Sequence, residues 1–365
     1  MAQAGHLPAG SHNGRSEGAG GRSRALVPVP RDESAIERHV PREPRAIAVD
    51  AAIFVAKLAF GRDWRTIARR GLIGFAGFLV VYFGIIGSVM TRMDANPDFM
   101  PPAAVEGGSH AMNMAIALVD REVNQHGWLP NDPWFMPGGL RDNAPNFQLG
   151  IIQALGRFSF EMVDTIGRAR GSSRADPDLK RAAGFLQFPG DIWHIAFDKS
   201  LMPTVTSDQQ YRAALRALTS YNNRVAQGQA IFERRADALA STLTRIADDL
   251  GSQTAQLEQH SRSNVFWLID FEADDIFFRN KGVTYAYYLL LRELGRDFEP
   301  LIAARGLSSV WQQTVTTLRY ASQLDPLIVM NARSDGLLAN HLVLQGFYIN
   351  RAVIQLNELV TTLNF

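Results

Sequence analysis

The sequence predicts an all-α protein in which a single N-terminal transmembrane helix precedes a helical-bundle soluble domain with long heptad-patterned helices. Three observations carry that class. Gly71 to Met90 runs for twenty residues without a charged side chain, about the length a helix needs to cross a bilayer core. Two later segments repeat apolar residues at alternating spacings of four and three, as helices packed through a narrow seam do. No stretch of useful length alternates apolar and polar residues in the manner of a half-buried strand.

Residues 1–48 form a basic tail of Gly, Ser, Pro and charge with few large apolar side chains. Such a segment cannot bury enough surface to offset its ordering entropy, so disorder is expected. Up to Arg70 there are twelve Lys and Arg against seven Asp and Glu. The two signs are interspersed rather than gathered into a basic stripe, which argues against nucleic acid as a partner. Residues 49–70 read either as an amphipathic helix on the inner leaflet, with its arginines facing anionic lipid, or as an extension of the span.

Residues 71–90 are expected to cross the membrane and to make the bilayer a partner. Seventy residues precede them, and Ser88-Val89-Met90 is a poor cleavage site, so the stretch reads as an uncleaved signal anchor. Lys57, Arg62, Arg65, Arg69 and Arg70 stand before it, whereas Arg92 is followed by Asp94, Asp98 and Glu106. Basic flanks stay in the cytoplasm. The expected setting is a bacterial inner membrane, with the N-terminus cytoplasmic and the C-terminal domain periplasmic. The chain contains no cysteine, which excludes disulfides, thiol catalysis and cysteine metal sites.

Residues 91–108 read as a linker and residues 109–365 as the helical domain. Ser109 is a plausible N-cap for a helix carrying Met112, Ile116, Val119 and Val123. The stretch from His126 to Gln148, with four prolines and four aromatic residues, interrupts it. A helix resumes through Phe147, Ile151, Leu155, Phe158, Met162 and Ile166, and Asp176-Pro177 starts the next. Residues 185–206 are irregular and apolar.

Tyr211, Leu215, Leu218, Asn222, Val225, Gln229, Phe232, Ala236, Leu239, Leu243, Ile246 and Leu250 form the first seam. It implies one helix of about 60 Å unless Gly228 kinks it, with Gly251 stopping or bending its end. Leu338, Leu342, Gln345, Ile349, Ala352, Leu356, Leu359 and Leu363 form the second. The two seams fit an antiparallel pair within the chain or a bundle; a parallel homodimer through the long helix is the alternative.

Two constellations hold chemistry-bearing side chains. In the interrupting loop, Trp128 and Trp134 offer apolar faces, while Asp132, Arg141, Asp142 and Asn146 offer polar groups. That set suits a binding loop held rigid by its prolines or, more simply, a rigid corner in which Asp142 or Asn143 caps the following helix. In WLIDFEADDIFFRNKG, Asp270 and Asp274 lie one helical turn apart with Asp275 beside them, a spacing that can hold Mg²⁺; the simpler reading is a solvated helix face or a helix start, with Arg279 and Lys281 as ion-pair partners. The histidines at 110, 126, 194, 260 and 341 share no metal-ligand spacing. Ser172 and Ser173 lack a nucleophile-elbow context, and Gly138 to Arg141 lacks the Lys-Ser/Thr of a phosphate loop. No cofactor is expected.

The blocks VDREVNQHGWLPNDPWFMPG, RDNAPNFQLGI, RFSFEMVDTIGRARGSS, RADALASTLTRIADDLGS and DDIFFRNKGVTYAYYLL together resemble the proteobacterial domain-of-unknown-function family 2333. The resemblance runs from about Ser109 to the C-terminus. It implies a single-span inner-membrane protein with a helical soluble domain, and it implies no catalytic residues. The expected role is a non-enzymatic envelope module that binds another envelope component or self-associates. The alternative is a metal-dependent enzyme acting on a lipid-linked or cell-wall substrate through Asp270, Asp274 and Asp275.

Overall fold

A computed structural model describes residues 44–60, 63–170, 175–194, 204–263, 270–326, 328–332 and 340–365. Residues 1–43 of the expected tail, Ser172, Ser173 and the seam residue Leu338 lie outside the described residues. The chain divides between Arg70 and Gly71 into two units. Helix α1 (Pro44–Phe60) belongs to the first. Helix α2 (Trp64–Leu79) passes through a π-helical turn over Val80–Ile86 into α3 (Gly87–Met90). Together they make one apolar helix, Trp64–Met90, of 27 residues. Residues 64–70 are therefore a helical extension of the apolar stretch, and 49–60 belong to a separate helix.

The body is all-helical among the described residues, which contain no strand and only an isolated bridge between Asn331 and Asn340. Its helices are α4 (His110–Asp120), α5 (Asn143–Arg170), α6 (Pro177–Leu186), α7 (Ser207–Ala226), α8 (Ala236–Ser263), α9 (Phe271–Asp297), α10 (Glu299–Ala304), α11 (Ser308–Ser322) and α12 (His341–Asn364). The starts follow local chemistry. The Ser109 hydroxyl accepts from the Met112 N–H at 3.2 Å, and Asp176 accepts from Asp178 and Leu179 just ahead of Pro177. Asp297, from the far end of α9, also accepts from Ser109 Oγ, His110 N and Ala111 N. A carboxylate there satisfies donors that a helix start leaves open.

Helices α5 and α9 approach to backbone contact. A Cβ on Gly150 would lie 2.1 Å from the Arg279 carbonyl oxygen, and one on Gly282 the same distance from that of Phe147. Only glycine permits this spacing, and the falling partner numbers show that the two helices run antiparallel.

The forty-residue helix predicted over Tyr211–Leu250 does not form. Helix α7 ends at Ala226, where Gly228 adopts φ +69° and the Gln229 and Ala230 N–H groups both donate to the Arg224 carbonyl. Glycine adopts that left-handed conformation without steric cost, so a helix cap wins over helix continuation. The apolar rhythm survives the break because Phe232 packs its ring against Phe298, 6.1 Å between centroids. Gly251 does not end α8, which runs on to Ser263; the roughly 1 kcal/mol that glycine costs inside a helix is outweighed by packing. Buried Gln253, Leu257 and His260 extend its seam. Helix α12 lies antiparallel on α8: Asn340 Nδ2 donates to Ser261 Oγ at 3.0 Å, while Gly346 faces Leu257 and Thr254. The two seams pair within the chain.

Residues 91–108 are non-helical, as a linker should be, but they do not hang free. Tyr285 Oη donates to the Asn96 carbonyl at 2.7 Å and Tyr288 Oη to that of Pro97 at 2.9 Å. Arg292 donates to the carbonyls of Pro97 and Phe99, and Gln323 to that of Ala95. Arg319 reaches Asp98 at 3.2 Å. Two helices thus hold this strap down along its first half.

Candidate functional site

The interrupting stretch, His126–Gln148, closes into consecutive turns. Asp132 N–H donates to the Leu129 carbonyl, Met136 to Pro133, Gly139 to Met136 and Arg141 to Gly138. A Cβ on Gly139 would lie 2.4 Å from the Pro133 carbonyl oxygen, so this turn requires glycine. Gln148, buried on the first turns of α5, accepts from the Leu129 N–H at 3.0 Å and donates to the Gly127 carbonyl at 2.9 Å and to Glu122 at 3.2 Å. Its amide closes the loop from inside.

The six loop residues singled out by sequence serve different places. Trp128 is core: its indole N–H donates to the Gly190 carbonyl at 2.8 Å and its ring meets Tyr211 edge-on. Asp132 is half-buried, and burial, with Asp208 nearby, pushes its carboxyl above the usual range. Trp134 is exposed and stacks edgewise on Phe135, which in turn meets Trp193. Arg141 donates to Ser88 Oγ at 2.6 Å, on the last turns of the apolar helix. Asp142 and Asn146 turn the other way, toward α9.

There the loop meets the second constellation. Asn146 Nδ2 donates to Asp275 at 2.7 Å. Turning the Asn143 amide so that its nitrogen faces the carboxylates lets it donate to both Asp142 and Asp274. Burial, with Asp142 and Asp275 nearby, pushes the Asp274 carboxyl up to about 6. Burial and Asp142 also raise Asp275, against the opposing pull of Arg279 and Asn146. The arrangement can hold or release a proton near neutral pH.

Asp270 stands apart. It caps α9 by accepting from the Ala273 N–H and lies 2.9 Å from His260 Nε2, with Asn331 donating to it. Burial opposes its ionisation, but these three partners outweigh that and hold its pKa low. The structure thus brings together Asp142, Asp274 and Asp275 and leaves Asp270 elsewhere. Among the described residues no group of three or more His, Cys, Asp or Glu is arranged to hold a metal ion.

Sequence reasoning missed a buried hub behind the loop. Arg121 is 1% exposed and reaches Glu122 at 2.7 Å, donates to Tyr285 Oη at 2.9 Å and lies 3.6 Å from Asp94. Its guanidinium also sits over the rings of Phe99 and Tyr285. An adjacent Arg-Glu pair in a surface-like helical pattern gives no hint of burial. The clue was the run VTYAYYLLL at 283–291, whose tyrosine hydroxyls, Tyr285 among them, need partners when buried.

Fold and site define an all-α protein with, among the described residues, one helix long and apolar enough to cross a membrane and an ordered loop at the end of that helix. The chain belongs to a bacterial family described as an uncharacterized protein conserved in bacteria (DUF2333), whose model matches residues 99–266 and 258–364. No curated protein matches the chain, and no solved structure does.

Proposed function

We propose that this chain is a single-span protein of the bacterial inner membrane, with its N-terminal segment cytoplasmic and its helical body periplasmic. There the body acts as a binding or scaffolding module that contacts another envelope component or self-associates. The observation that carries the reading is the helix Trp64–Met90, whose most apolar window has a mean hydropathy of 2.2 and is 6% buried. A helix that stays so apolar and so uncovered is far cheaper to keep in lipid than in water. The Arg-rich flank before it and the Asp-bearing strap after it support the orientation.

Support for a binding role comes from α12, whose outer face exposes Val343, Leu344, Phe347 and Ile354. Apolar side chains grouped on one face are the kind of surface that contacts use. The metal-enzyme reading has less support, because Asp270 is committed to His260 and the start of α9.

Reporter fusions at the C-terminus test the setting: a periplasm-active reporter should work and a cytoplasm-active one should not. A photoreactive residue replacing Phe347 in native membranes tests the role. The expected product is a discrete adduct, either twice the mass of the chain or the chain plus one other envelope protein. Only lipid adducts would remove the scaffolding half of the reading.

A further inference from the structure

We propose that the loop tip of residues 133–140 is a second membrane contact, seated in the headgroup layer beside the end of the apolar helix. The inference rests on the reading of Trp64–Met90 as a span. Its first support is depth. A Cβ on Gly87 would lie 2.4 Å from the Pro137 carbonyl oxygen, so loop and helix touch backbone to backbone. The Thr91 methyl lies 3.0 Å from where a Cβ on Gly138 would stand, and Arg141 donates to Ser88. Gly87 lies three residues, about 5 Å, before the end of the helix. A loop fastened at that level is held at the edge of the hydrocarbon, against a headgroup layer of roughly 5–7 Å.

The second support is what the tip presents. Trp134 is 72% exposed, Leu140 65% and Phe135 41%. Three large apolar side chains within seven residues are costly to leave in water, and tryptophan in particular favours the membrane–water boundary. The backbone can enter that layer cheaply, because the tip's turns satisfy the N–H groups of Met136, Gly139 and Arg141 internally. Arg141 stands at the height of lipid phosphates. Asp132 and Asp142 flank the tip, so apolar insertion rather than attraction to anionic lipid drives the contact.

The third support is rigidity. The strap is bonded to α9, α11 and Gln323 from Ala95 to Phe99, so only a few residues separate the end of the apolar helix at Met90 from chain held on the body. The tip contact then sets which face of the body looks toward the bilayer.

The cysteine-free sequence makes the test direct. Single-cysteine variants Leu140→Cys, Phe78→Cys and Asp237→Cys of the full chain carry a nitroxide and are reconstituted into phosphatidylethanolamine–phosphatidylglycerol vesicles. Asp237 is exposed three residues after Arg234, which lies 3.6 Å from Asp297 at the far end of α9, about 35 Å along that helix from Asp274 and the loop. The expected result is a Phe78 label deep in the bilayer and a Leu140 label at headgroup depth. The Leu140 label should be several-fold less accessible to an aqueous relaxation agent than the one at Asp237, and high salt should leave this unchanged. A Leu140 label as accessible as that at Asp237, with Phe78 still deep, overturns the loop contact and spares the span. A Phe78 label in water overturns both.

Discussion

The buried hub at Arg121 and the acidic group at Asp142, Asp274 and Asp275 flank the same loop and treat charge in opposite ways. At Arg121 burial alone would depress the guanidinium pKa, yet Glu122, Tyr285 and Asp94 raise it above the ordinary value. Arg121 and Glu122 oppose each other and are both buried, while the extra carboxylate of Asp94 stays half-exposed. Beside α9, three carboxylates gather with amide donors, and Arg279 offsets part of their charge at Asp275. That cluster stays partly exposed, and the carboxyl pKa values of Asp274 and Asp275 are raised. The difference teaches how much burial this fold permits: full burial where the charges balance, and partial burial where they do not.

The comparison breaks most sharply at Arg121. Arg121→Met leaves Glu122 buried without its cation, held by Gln148 and His126 alone, and should cost about 3–5 kcal/mol, read by denaturant unfolding of the full chain in detergent. Adding Glu122→Gln should recover most of that loss. A double variant as unstable as the single would mean that stacking on Phe99 and Tyr285, not charge balance, holds the hub.

Asp274→Asn should act in the opposite direction. The folded-state pKa of Asp274, about 6, lies above its ordinary 3.8, so folding disfavours the ionised form. The penalty is complete above about pH 6, shrinks as pH falls and is gone below about 3.8. Solvent screening at this half-exposed site holds the gain from Asp274→Asn to about 1 kcal/mol near pH 7.5. Thermal melts across pH should show that gain vanish near pH 4; an unchanged gain there would place its origin outside Asp274 ionisation.

Asn146→Ala removes the donor to Asp275 and should lose about 1 kcal/mol near neutral pH. The loss should be smaller in an Asp275→Asn background, and equal losses in both would separate the amide from the carboxylate. The smallest effect is expected at the rim of the hub. Asp94→Ala removes a half-exposed carboxylate 3.6 Å from Arg121 and should change stability by less than about 1 kcal/mol.

Much of the helical body was legible in the chain. Ser109, Asp176-Pro177 and the periodic apolar faces carry local instructions, and a helix start or a buried stripe depends on neighbours within a turn or two. The candidate site was half legible. Asp142 and Asn146 were read with one constellation, Asp274 and Asp275 with another, and their meeting depends on the glycine contacts between α5 and α9. Gln148 and Arg121 gave no local signal, because what buries them lies elsewhere: the turns of the loop around Gln148, and Tyr285 and Phe99 around Arg121.

Sequence alone determined that a charge-free apolar stretch, Gly71 to Met90, precedes an all-α body and that the body contains two seams. Both follow from the spacing of apolar side chains along one chain, which needs no knowledge of what they touch. Only the tertiary structure decided that the first seam breaks at Gly228, that the strap is bonded down and that the loop touches the apolar helix at Gly87 and Ser88. Those outcomes rest on side chains and carbonyls brought together from distant residues, where a single left-handed glycine or a backbone contact outweighs an unbroken pattern.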